Sequence, residues 1–146
     1  MSIISTRSRY GLRLLIDLAE RAPGETVDLH SIAVRQAIPE KYLSKLAASL
    51  LGAGLIRSVR GAKGGYVLAK APEDIDLYTV VEVLEGRLSL LECTHDPEAC
   101  PRSSDCGARS LWGGLEQAVR DYLGAKTLAT VAAVRGEEGT PVTLTI

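Results

Sequence analysis

At 146 residues with 46% hydrophobic composition, the chain can bury one core of ordinary size, which predicts a single domain with at most a docked extension. No run of about 18 apolar residues is present, which excludes a membrane-spanning helix; the opening residues 1–15 lack the apolar stretch and cleavage site of an export signal, so a cytoplasmic protein is expected. The formal net charge of −1 conceals a split, since residues 1–70 carry 11 Lys and Arg against 5 Asp and Glu, net +6, while residues 71–146 carry 6 against 13, net −7. A basic first half points to a polyanionic partner at that end, although charge alone also fits a solvated surface.

The first helix is expected to begin after Ser5, a good N-cap residue, with Leu12, Leu15, Ile16 and Ala19 on one face. The turn at residues 22–25 ends it. A second helix fits residues 29–36, capped by Asp28, with Leu29, Ile32 and Ala33 as its stripe. Pro39 suits the first turn of a third helix, because its fixed φ is helical and its missing N–H is not needed there. Leu43, Leu46, Ala47 and Leu50 form that helix's inner face, and Gly52 and Gly54 supply its stop. Residues 55–60 and 66–69 are β-prone runs around the glycine-rich segment 61–65, which predicts a hairpin. Ile56, Val59, Val67 and Leu68 are its apolar positions. A fourth helix is expected over 77–85, capped by Asp76, with Leu77, Val80, Val83 and Leu84 inward. Residues 87–107 show no sustained period and read as a functional loop. A long helix returns from about 108 to 126, striped by Leu111, Trp112, Leu115, Val119, Tyr122 and Leu123, and Thr127 caps a last short helix. The tail 135–146 carries signals of disorder together with an alternating segment.

Three short helices followed by a basic, glycine-tipped hairpin describe a winged helix-turn-helix. The expected fold class is therefore α+β, mainly helical. Its divisions are a DNA-binding unit at 1–72, a connecting helix and cysteine loop at 73–107, C-terminal helices at 108–134, whose apolar stripe outside the DNA unit agrees with a dimerisation helix, and the tail. The third helix is the candidate reader of the major groove, where base edges are distinguishable. Lys41, Tyr42, Ser44 and Lys45 lie at its N-terminal end: Lys45 can donate to guanine, Ser44 can pair with several bases, and Tyr42 either meets the DNA backbone or packs beside Leu43. Arg60, Lys63 and Gly64 form the wing tip, where charge and a slim backbone suit phosphate or the minor groove. Ser5, Thr6 and Arg7 offer a helix start that can hold a phosphate.

Cys93, Cys100 and Cys106 fall within 14 residues, and no other cysteine is present. An odd number of thiols without an export signal argues against a disulfide framework and for a metal, cluster or redox site. Structural zinc sites usually contain a close C-x2-4-C pair, which this spacing lacks, and the spacing alone does not identify a metal.

The segments TRSRYGLRLLIDLA, DLHSIAVRQAIPEKYLSKLAASLLGAGLI and, most specifically, SVRGAKGGYVLAK resemble the family of bacterial winged-helix transcription regulators that includes IscR, NsrR and CymR. DLYTVVEVLEG and CGARSLWGGLEQ extend the resemblance to about residue 134. It implies a homodimer joined through the long helix, double-stranded DNA as partner and an approximately palindromic operator. It also implies an iron–sulfur cluster held by Cys93, Cys100 and Cys106. The fourth ligand departs from the family. Arg109 stands where IscR-like members have a histidine, and Arg9 stands where NsrR-like members offer a carboxylate in trans. His95, Asp96, Glu98 or Asp105 could substitute locally, as could a small thiol, water or a residue in trans; a single histidine in a polar loop also fits a solvated side chain. A weakly filled iron site of this kind would suit sensing of nitric oxide or oxygen species.

The competing readings are a cluster-free thiol regulator resembling CymR and a zinc-stabilised protein-interaction module. An enzyme is not expected: only His30 and His95 could serve as imidazole bases, and no phosphate loop or nucleophile elbow is present.

Overall fold

The computed structural model describes residues 4–133. In chain order the elements are α1 (Thr6–Ala19), α2 (Leu29–Gln36), α3 (Glu40–Gly52), β1 (Ile56–Val59), β2 (Gly65–Leu68), α4 (Leu77–Glu85), α5 (Glu92–His95), α6 (Gly107–Gly124) and α7 (Leu128–Ala133). The tail 135–146 lies outside the described residues. Local chemistry sets the helix starts. Ser5 accepts from the Arg7 N–H, Asp28 from that of Ser31, and Asp76 from that of Thr79, each satisfying a donor that the first turn leaves free. Pro39 occupies the N-cap of α3, one place before the expected first turn, with φ −56° already near the helical value. Between α2 and α3 the chain reverses through Ala37 at φ 52°, a left-handed conformation that non-glycine residues rarely adopt.

One apolar core runs through α1, α2, α3, the hairpin, α4 and α7. Leu14, Leu15, Ile32, Leu43, Leu50, Ile56, Ile75, Val80, Leu84 and Leu128 are its most enclosed members. Each such side chain contributes about 1.5–3 kcal/mol relative to exposure. Gly11 permits the close approach of α1 to α4, since a Cβ there would meet Leu84 Cδ1 at 2.4 Å. After α6 the chain returns beside the start of α4: Leu77 N donates to Lys126 O at 3.0 Å and Leu128 N to Ile75 O at 2.8 Å.

Four expectations are corrected. On α1 the buried leucines are Leu14, Leu15 and Leu18, with Leu12, Ile16 and Ala19 only partly buried. On α4 the buried set is Leu77, Val80, Val81 and Leu84, with Val83 only partly buried. That is the i, i+3, i+4, i+7 face of a helix, on which position 81 rather than 83 belongs. Val59 of the hairpin is exposed, at 39%: it sits at the tip end of β1 opposite Gly65, which has no side chain to cover it. Residues 87–107 are not a plain loop: α5 and single 3-10 turns at Pro97–Ala99 and Ser103–Asp105 organise them. Elements of three or four residues are too short to show an apolar period.

Candidate nucleic-acid interface and cysteine segment

The side of α3 facing away from the core carries Lys41, Ser44 and Lys45, all exposed, while Leu43, Leu46, Ala47 and Leu50 are buried beneath them. Lys41, Ser44 and Lys45 line a shallow recess with Leu29 and Glu40. Tyr42 is half-buried and meets the Tyr10 ring edge-on at 5.8 Å, so its ring packs against α1, of the two roles open to it. At the head of α3, Glu40 Oε2 lies 2.9 Å from His30 Nδ1, joining the starts of α2 and α3. The Glu40 hydrogen bond and charge raise the His30 pKa above its usual value. Neither partner of this pair was visible as such in the sequence, because their sequence separation says nothing about the helix crossing that brings them together.

Between α1 and α2, Asp17 of α1 is 1% exposed and takes Arg35 Nη2 at 2.8 Å, Arg35 Nε at 3.1 Å and Gln36 Nε2 at 2.9 Å. Burial alone would push its carboxyl up, but the bonds from Arg35 and Gln36, with the charges of Arg35 and Arg21, hold it below the usual value. Arg13 completes the bracket by donating to the Gln36 carbonyl. This network locks α1 to α2 and was not anticipated either.

The hairpin pairs Ile56 with Leu68 and Val59 with Gly65. Arg57, Arg60 and Lys63 are exposed at and near its tip. The tip is held from behind by the segment preceding α2. Val27 and Tyr66 exchange backbone hydrogen bonds at 3.0 and 2.8 Å, and Thr26 Oγ1 donates to Lys63 O at 2.5 Å. Two glycines make this tight packing possible: a Cβ on Gly64 would lie 2.4 Å from Val59 O, and one on Gly65 2.4 Å from Val27 O.

At the start of α1, Thr6 and Arg7 are exposed, but Ser5 is engaged inside the molecule. Its N–H and Oγ donate to Glu85 Oε1 at 2.8 and 2.9 Å. The carboxylate at the end of α4 therefore already sits where a phosphate was expected at Ser5. Burial works against that carboxylate's charge, yet the Ser8 and Ser5 bonds leave the Glu85 pKa lowered.

The three cysteines are free thiols; Cys93 and Cys100 are half-buried and Cys106 is exposed. Cys93 lies in α5, Cys100 follows a 3-10 turn, and Cys106 is the N-cap of α6. Glu116, a buried residue of α6, accepts from Thr94 Oγ1 at 2.8 Å and lies 2.6 Å from His95 Nε2. The imidazole thus sits beside a carboxylate on α6. Arg109 donates through Nε to Cys93 O at 2.8 Å and through Nη1 to Ser103 O at 3.4 Å. Among the described residues, no three His, Cys, Asp or Glu side chains gather to hold a metal ion. In the single chain as folded, Cys93, Cys100 and Cys106 do not form a preassembled metal-ion site. No described helix is long and apolar enough to cross a membrane.

The fold and its exposed basic helix and wing define a winged-helix regulator of transcription. The sequence model of the Rrf2 family, described as an iron-dependent transcriptional regulator, matches residues 4–134, and the chain belongs to that family. Among curated relatives, protein rrf2 of Nitratidesulfovibrio vulgaris is 43% identical over 126 residues, which is 86% of this chain and 84% of the relative. Among solved structures, CymR, the global cysteine regulator of B. subtilis, superposes with a TM-score of 0.77 at 37% identity, covering 92% of this chain and 98% of that one. The T. potens IscR structure gives a TM-score of 0.75 at 34% identity, covering 94% and 93%. The relatives are named as transcriptional regulators, and the chain is a DNA-binding regulator rather than an enzyme.

Proposed function

We propose that this chain acts in the cytoplasm as a homodimer that binds an approximately palindromic operator and changes its DNA affinity through chemistry at Cys93, Cys100 and Cys106. The observation that carries the DNA-binding part is the exposure of Lys41, Ser44 and Lys45 on the outer face of α3, with Arg60 and Lys63 at the wing tip. In this reading Lys45 and Ser44 meet base edges, while Lys41, Arg60, Lys63, Thr6 and Arg7 meet phosphate, Gly64 lets the wing backbone approach, and Tyr42 and Ser5 support the frame from within. The dimer reading is supported by α6, whose Leu111, Leu115 and Tyr122 are 64%, 46% and 48% exposed on a helix that no other part of the described chain covers on that side.

Regulation acts by population shift: a signal must have different affinity for the DNA-competent and incompetent states. The cysteine segment joins α4 to α6, so rearranging it changes how two reading heads are spaced. Two chemistries compete. An iron–sulfur cluster, sensing iron–sulfur status, nitric oxide or redox stress, is supported by the three-cysteine pattern and the likeness to IscR proteins. Direct thiol chemistry, or control by a partner, is supported by the likeness to CymR and by three free thiols, one of them exposed.

The deciding experiment is purification without oxygen, with visible absorption, iron and acid-labile sulfide measured per chain. Brown protein with matching iron and sulfide, lost when all three cysteines become alanine, supports the cluster. Colourless protein that stays iron-free after anaerobic reconstitution, with operator affinity responding to reductant, supports thiol control. Binding to DNA with no preference for any sequence would refute the regulator reading itself.

A further inference from the structure

We propose that the cleft between α5 and the first turn of α6 binds a small oxyanion, an organic carboxylate or a phosphate, and that this ligand acts on the cysteine segment. The cleft has a volume of about 340 Å³ and is lined by Thr94, Ser103, Cys106, Arg109, Ser110 and Gly113, with no carboxylate in its wall.

Three observations converge on an anion. The helix α6 has 18 residues, and its N-cap Cys106 makes no side-chain capping bond, with no acidic residue in the first turn. No side-chain bond therefore caps the positive end of the α6 dipole at this edge of the cleft. Ser103 is 8% exposed, and its Oγ has no hydrogen-bond partner, a condition that buried hydroxyls rarely tolerate. Arg109 uses one N–H on Cys93 O and one on Ser103 O. A guanidinium has five N–H donors, so three remain, in the planar fork that carboxylate and phosphate oxygens match.

The exposed stripe of α6 does not itself cover the cleft. At about 100° per residue, Arg109, Ser110 and Gly113 lie on the side of α6 opposite Leu111, Leu115 and Tyr122. Because the same guanidinium holds the carbonyls of Cys93 and Ser103, a ligand that draws on Arg109 is felt at both ends of the cysteine segment. The effect on DNA rests on reading that segment as regulatory; the binding itself does not.

The test is calorimetric titration of the full-length reduced chain with potassium phosphate and with potassium succinate, against potassium chloride at matched ionic strength. Saturable binding is expected for at least one of the two anions. Arg109→Gln should weaken it at least about tenfold, and Ser103→Ala about threefold, as loss of a charge-assisted and a neutral hydrogen bond respectively. A phosphate response alone assigns a phosphate ligand, and a succinate response alone assigns a carboxylate. No saturable heat from either anion, or an Arg109→Gln affinity equal to wild type, overturns the proposal. Should Arg109→Gln lose helical content, Ser103→Ala decides, and unchanged affinity there overturns it. Saturating anion is then added to operator titrations. Unchanged operator affinity overturns the regulatory half alone, whereas intact anion binding in a chain that prefers no DNA sequence overturns the DNA reading instead.

Discussion

Replacing Asp17 with asparagine tests whether the α1–α2 bracket holds the reading helices in place. The carboxylate is 1% exposed and accepts two bonds from Arg35 and one from Gln36, with Arg21 Nη2 at 3.7 Å. Hydrogen bonds to a charged group contribute about 1.5–3 kcal/mol each. The Arg35 side chain is 37% exposed and regains water when its partner is neutralised, which reduces the total. Asp17→Asn should therefore cost about 2–3 kcal/mol, or about 5–10 °C of melting temperature for a chain of this size. The assay is thermal unfolding by circular dichroism at pH 7 and one fixed protein concentration, since dimerisation makes the midpoint concentration-dependent. A cycle with Arg35→Gln should give a coupling of at least about 1 kcal/mol. The pH dependence has a definite sign. The folded carboxyl titrates below its usual value of 3.8, so its contribution is complete above that value and is lost as pH falls through the folded pKa. Asp17→Asn should flatten this acid-side loss. A variant within about 0.5 kcal/mol of wild type, or strict additivity with Arg35→Gln, would refute the bracket.

Lys45→Ala should lower the preference for operator over random DNA by about 1–3 kcal/mol, whereas Lys63→Ala should weaken both alike and reduce the salt slope by about 0.9. Equal losses on both DNAs for both variants, measured by titration at several salt concentrations, would contradict the division of roles. Gly65→Ala places a Cβ 2.4 Å from Val27 O and 2.5 Å from Val27 C, backbone atoms that cannot step aside. A destabilisation of about 1–3 kcal/mol is expected, with faster hydrogen exchange at the Val27 and Tyr66 amides; wild-type protection there would show that the wing is not pinned. Leu115→Asp, on the exposed stripe of α6, should shift the sedimenting species from dimer to monomer, and an unchanged mass would place the dimer contact elsewhere.

Much of this architecture is local, and local chemistry is written in short stretches of sequence. Ser5, Asp28 and Asp76 announce their helices because a capping oxygen needs only the two or three residues that follow it. The stripe Leu43, Leu46, Ala47 and Leu50 sorts α3 into an inner and an outer face, which is why Lys41, Ser44 and Lys45 are legible as solvent-facing from the sequence. The wing was legible from its glycines and flanking β-prone runs. Family likeness, a property of the whole chain, supplied the regulator class that no single motif carries.

Only the tertiary structure decided which groups meet across elements. Nothing near Ser5 in the chain foretells that Glu85 lies at its hydroxyl, that Asp17 receives Arg35 and Gln36, or that Val27 pairs with Tyr66 behind the wing. His95 shows the same limit: its place in a polar loop says nothing of the Glu116 carboxylate that packing of α5 on α6 brings to it. Helix starts and apolar faces depend on contacts within one or two turns, which the sequence displays directly. Partner choice for a buried charge depends on helix crossings and on the desolvation each group undergoes there, and these exist only once the core has closed.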